Sequence, residues 1–112
     1  FTHREDSDHL KQICMAMALS LGPAVFINQS VALRDRPDYC DVLRGVTCPT
    51  LILCGRHDVL CPVERHEAMN GMIPHARLLI IEDAGHLPTI ETPEQVTSAL
   101  QQLLTTAAPK GM

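Results

Sequence analysis

The sequence predicts a mixed α/β domain: two parallel strands with flanking helices, forming the last part of a doubly wound, mostly parallel sheet and preceded by helical segments. Three observations carry this. Two short apolar runs, over residues 50–54 and 77–82, are continuous rather than alternating, as strands buried on both faces are. A helical stretch separates them and another follows, an order that implies a right-handed crossover between neighbouring parallel strands. Before about Pro49 the apolar spacing is helical throughout.

Taken in chain order, residues 7–21 place Leu10, Ile13, Cys14, Met17 and Leu21 at helical spacing, with Ser7 or Asp8 as the cap. Gly22-Pro23 closes that helix, and Pro23 opens a second one carrying Phe26 and Ile27. A turn of helix is predicted over 37–44, with Gly45 as its left-handed stop. Pro49 introduces the first strand and Gly55 closes it; residues 62–72 read as a helix, and 77–82 form the second strand. The final helix has Pro93 at its first position and a capping box from Thr92 and Gln95. Its apolar stripe is Val96, Ala99, Leu100, Leu103 and Leu104. A parallel strand expects neighbours on both sides, so two strands predict the end of a larger domain whose remainder lies upstream. The expected division is a helical lid tail over residues 1–34 and a strand–helix–strand–helix part over 35–112.

Composition narrows the function. The 112 residues carry a net charge of −4 and no Lys/Arg block, which argues against nucleic-acid binding. The longest uninterrupted apolar runs fall far short of the ~20 residues that span a bilayer, so no membrane role is expected. Two Phe, one Tyr and no Trp leave no stacking surface. Five cysteines, an odd number, fit reduced thiols and a cytoplasmic location better than a disulfide framework. The chain opens on Phe1 rather than Met, so its natural start is expected to be missing.

In an open parallel sheet, functional groups gather beyond the carboxyl ends of the strands. That rule selects Gly55-Arg56-His57-Asp58-Val59-Leu60-Cys61-Pro62 and Glu82-Asp83-Ala84-Gly85-His86-Leu87-Pro88. Adjacent strands lie ~4.8 Å apart, so side chains on the two loops can meet. An Asp on one loop and a His on the other make a workable pair: the carboxylate would accept the imidazole Nδ1–H, fix its tautomer and leave Nε2 as a base. Asp83 sits too close to His86 on the same loop to be its partner and reads as a turn residue. Taken alone, Asp58 would read as an aspartate closing a turn or capping a helix, and His86 as a surface histidine.

In this order, strand with Gly-x-x-Asp, helix, strand with Gly-His and a capped helix, the sequence resembles the end of the α/β-hydrolase family. Residues 48–58 resemble its penultimate core strand and acid loop, and 77–88 its last strand and histidine loop. The likeness runs over about residues 35–105, and residues 1–34 resemble the tail of a small helical lid. It implies that Asp58 is the acid and His86 the general base of a catalytic triad. The parent would cleave a small ester, lactone, thioester or activated C–C bond by acyl transfer, with no metal, nucleotide or organic cofactor.

One departure is large. The family's nucleophile stands in a Gly-x-Ser-x-Gly elbow. Neither Ser7, Ser20, Ser30 nor Ser98 has glycine at both minus two and plus two, and Ile52 stands two before Cys54. The nucleophile and oxyanion hole are expected upstream, in a missing N-terminal part, and the chain alone is expected to be inactive. A non-catalytic hydrolase scaffold that binds a ligand or partner is the alternative. A zinc site from Cys48, Cys54, Cys61, His57 and His66 is disfavoured, because C-x5-C-x6-C is not a knuckle spacing and buried cysteine acts as a small hydrophobe. His57 reads as exposed or as a neighbour of the acid, and His66 and His75 as surface residues. Met15 and Met17 read as lid or core packing. An unpaired first-strand edge predicts a homodimer.

Overall fold

The computed structural model describes residues 7–107. Helix α1 spans Asp8–Arg34, α2 Cys40–Arg44, β1 Leu51–Gly55, α3 Val63–Met72, β2 Arg77–Ile81, α4 Pro88–Glu91 and α5 Pro93–Ala107. Among the described residues the chain forms two compact units, a helical one ending at Tyr39 and a strand-bearing one starting at Cys40.

The helical unit is α1. Gly22 interrupts it with φ 83 and ψ 172, outside the helical region, and Pro23 follows at once. The predicted break therefore falls where Gly22-Pro23 places it: a glycine reaches positive φ without steric cost, and proline cannot continue the hydrogen-bond ladder. Ser7 occupies the cap position, yet its side chain makes no capping hydrogen bond. By length and composition alone, α1 is apolar enough to cross a membrane. Interspersed polar residues such as Gln12, Ser20 and Asn28 hide this from a search for unbroken runs. The break leaves stretches of 14 and 12 residues on either side of Gly22, each below the ~20 that a span needs. Met15 and Met17, expected to pack in a lid or core, are exposed, as are Leu19, Phe26 and Leu33.

The strand-bearing unit is a βαβ crossover followed by two helices. β1 and β2 pair in parallel, in register from Leu51↔Arg77 to Gly55↔Ile81, and form a two-stranded sheet. The predicted strand positions hold to within a residue. Their burial does not: Ile52 and Cys54 are buried, whereas Leu51 and Leu53 are half-buried. The stripe of α5 is likewise only partly covered. Val96 packs with Ile81, Ala84, Leu53 and Leu79, and Ala99 is buried, but Leu100 and Leu104 of the same stripe are exposed. A helix of 15 residues is ~22 Å long, more than two strands ~4.8 Å apart can cover.

Two local predictions are corrected. Gly45 is not left-handed, since Gly22 is the only described glycine with positive φ; α2 ends instead in a tightened turn, Gly45 N–H to Val42 O and Val46 N–H to Leu43 O, 3.1 Å each. Thr92 uses its hydroxyl differently from a capping box, donating to the Pro88 carbonyl at 3.1 Å. That carbonyl belongs to α4, a short helix that the sequence reading lacks.

Candidate active site

The parallel register brings both strands to their ends side by side, so the loops that follow start together. Gly55 makes their contact possible. A Cβ there would overlap the backbone carbonyl groups of Ala84 and Gly85, so only glycine lets the second loop cross so close. Main-chain hydrogen bonds then lace the loops: Arg56 N–H donates to Ile81 O at 2.9 Å, and His57 N–H to Ala84 O at 3.0 Å. Outside them, the Arg56 guanidinium forks onto Glu82, at 2.8 and 3.0 Å.

Within this frame Asp58 is buried, at 8% exposure, and its Oδ1 accepts the N–H groups of Leu60 and Cys61, both at 2.9 Å. It closes the turn, as an aspartate at such a position does. The same carboxylate faces His86, whose Nδ1 lies 3.0 Å from Oδ2 and 3.1 Å from Oδ1. An acceptor-only carboxylate requires Nδ1 to carry the proton, so the neutral ring has its lone pair on Nε2. Burial acts to raise the Asp58 pKa. The Cys61 N–H, the hydrogen bond and charge of His86, and the Leu60 N–H outweigh it, and the carboxyl stays below its usual range. Asp58 is thus held as an anion. Both predicted site residues are brought together, across 28 positions of sequence.

A third residue holds the imidazole loop, and sequence reading did not single it out. Glu91, buried in α4, accepts from Gly85 N–H at 2.9 Å and Leu87 N–H at 3.1 Å through its Oε2. Those amides flank His86, so Glu91 fixes the backbone that aims the ring. The available signal was a glutamate five residues after Gly-His and just before Thr-Pro, in what reads as a helix start.

The other polar candidates take separate places. Asp83 is exposed in its turn, and His57 is exposed. His66 Nδ1 donates to Pro62 O at 3.1 Å, and His75 Nε2 to Cys48 O at 2.6 Å. Burial, followed by the negative charge of Asp58, pushes the Cys54 thiol up, with Arg56 opposing and Glu67 adding. Cys54 is therefore a neutral core group, whereas Cys48 and Cys61 are exposed rather than packed as small hydrophobes. Of the zinc set weighed from sequence, only Cys61 reaches the site, where its sulfur and donor atoms of Asp58 and His86 lie within 4.8 Å of one another. Ser20 and Ser30 lie inside α1 and Ser98 inside α5, none on a strand-to-helix turn.

A family model described as TAP-like protein (Abhydrolase_4) matches residues 28–111. The bifunctional biotin biosynthesis protein BioHC of Teredinibacter turnerae is 33% identical over 104 residues, covering 93% of this chain and 16% of that protein. A pimeloyl-[acyl-carrier protein] methyl ester esterase of Xanthomonas oryzae pv. oryzae is 32% identical over 78 residues, 70% of this chain and 31% of its own. Among solved structures, a thermophilic esterase from Thermogutta terrifontis matches with TM-score 0.64 and 44% identity, over 67% of this chain and 28% of the esterase. The chain thus spans less than a third of the length of each of these relatives. With the family match running from residue 28 to 111 and a solved esterase 44% identical over 67% of this chain, the chain belongs to the α/β-hydrolase family.

Proposed function

We propose that this chain is the C-terminal part of a serine hydrolase acting on carboxylic esters, and that it supplies the acid and general base of the triad. The observation that carries this reading is the pair of contacts from His86 Nδ1 to both oxygens of a buried, ionised Asp58. In the complete enzyme a serine outside this sequence attacks the ester carbonyl. His86 Nε2 takes the hydroxyl proton and returns it to the leaving alkoxide, while Asp58 stabilises the imidazolium between the two transfers. Backbone N–H groups beside that serine stabilise the oxyanion. The esterases among the relatives support an ester substrate. Residues 1–34 are proposed as the tail of a helical lid, and the odd number of cysteines suits a cytoplasmic setting.

A chimera tests the reading. Residues 40–107 replace the matching portion of the Thermogutta terrifontis esterase, which carries the rest of the fold. The expected result is hydrolysis of p-nitrophenyl acetate that falls by about 10⁴-fold on His86→Ala or Asp58→Ala. A folded, active chimera indifferent to His86→Ala overturns the proposal. So does robust, His86-dependent turnover by the 112-residue chain alone.

A further inference from the structure

Among the described residues, the sulfur of Cys61 lies beside the acid–imidazole pair and is left unused by the proposed function. It is placed there by design of the turn: Asp58 Oδ1 takes the Cys61 N–H at 2.9 Å, which folds position 61 back over position 58. His86 arrives from the other loop. One oxygen, one nitrogen and one sulfur then lie within 4.8 Å of one another, on two loops already tied together through their backbones.

We propose that Asp58, Cys61 and His86 form a binding site for a soft divalent cation, with zinc as the best match. Zinc bonds of ~2.0–2.1 Å to nitrogen and oxygen and ~2.3 Å to sulfur put tetrahedral ligands ~3.3–3.6 Å apart. The Nδ1···Oδ2 separation of 3.0 Å already approaches such an edge. The sulfur must close the remaining distance, and Cys61 is exposed on a loop, where a side-chain rotation suffices. The ligand chemistry selects the ion. A thiolate and an imidazole suit zinc, whereas calcium and magnesium take all-oxygen sets. Three protein ligands leave a fourth position for water. On binding, the His86 proton moves through solvent from Nδ1 to Nε2, which frees the Nδ1 lone pair for the metal and replaces the hydrogen bond to Asp58; the Cys61 thiol releases its proton to solvent and its sulfur lone pair forms a further bond, while the metal's oxidation state does not change.

The site stands on geometry alone. Its consequence rests on the proposed function: a cation there occupies the carboxylate and ring that otherwise relay the proton, so metal loading and hydrolysis exclude one another.

The experiment uses the 112-residue chain, reduced and freed of metal. Zinc affinity is measured by competition with a chromophoric chelator, and cobalt(II) reports sulfur ligation through its thiolate charge-transfer absorption. The expected result is one equivalent bound with that absorption present. Cys61→Ser removes the absorption and weakens zinc at least about tenfold; His86→Gln also weakens zinc about tenfold. Cys48→Ser, at an exposed cysteine beyond the other end of β1, changes neither. Absence of stoichiometric binding, or binding unchanged by Cys61→Ser, overturns the proposal. Because the readout is binding rather than turnover, either result leaves the chimera test of hydrolysis standing on its own.

Discussion

At the scale of single residues, the site depends on side chains that each hold backbone as well as one another. Asp58 closes its own turn with the same carboxylate that orients His86, so removing it unmakes the loop together with the chemistry. Glu91 takes the supporting role, because its Oε2 holds the backbone on either side of the ring. Glu91→Ala strands two amide donors, one of them buried, and is expected to cost about 2–4 kcal/mol in urea unfolding. Glu91→Gln keeps an acceptor and is expected to lose less than half as much. Asp58 and His86 were legible because sequence order assigns their loops to neighbouring sheet ends and the family resemblance picks these two residues out of them. Glu91 was not, because its partners are main-chain groups, which carry no residue signature.

Among the elements, β1 and β2 were legible from apolar continuity and Gly/Pro punctuation, and the break in α1 from Gly22-Pro23. Burial was not. Leu100 and Leu104 have core spacing but project past a sheet of two strands, and no local pattern states how wide a sheet is. The Thr92 hydroxyl donates to the Pro88 carbonyl, in a short helix with no periodicity to betray it, a bond that the capping-box pattern does not foretell. The strand ends are also joined by charge. The Arg56 hydrogen bond lowers the Glu82 pKa; desolvation opposes this, and the charges of Arg56 and His57 add to it. A carboxyl depressed on folding contributes stability above its unfolded value and loses it as pH falls through the folded one. Wild-type protein is therefore expected to lose more stability than Glu82→Gln between about pH 5 and pH 3, followed by urea midpoints. Because the pair is exposed the difference is small, and 1 M salt shrinks it further.

For the whole molecule, the two-stranded sheet gives each strand a single neighbour. A relative several times longer has further chain with which to cover such an edge. Here the proposed solution is a second copy pairing or covering β1, and light scattering is expected to report a dimer at micromolar concentration. A monodisperse monomer would refute it. The lacing of the two loops has a further consequence in time. Arg56 and His57 donate to the far loop, while Gly85 and Leu87 donate to Glu91, so no one of these amides can reach water without loosening the others' frame. Hydrogen exchange should find all four opening as one cooperative unit, at a rate set by the crossover. The acid and the imidazole would then be assembled or lost together, as a single event.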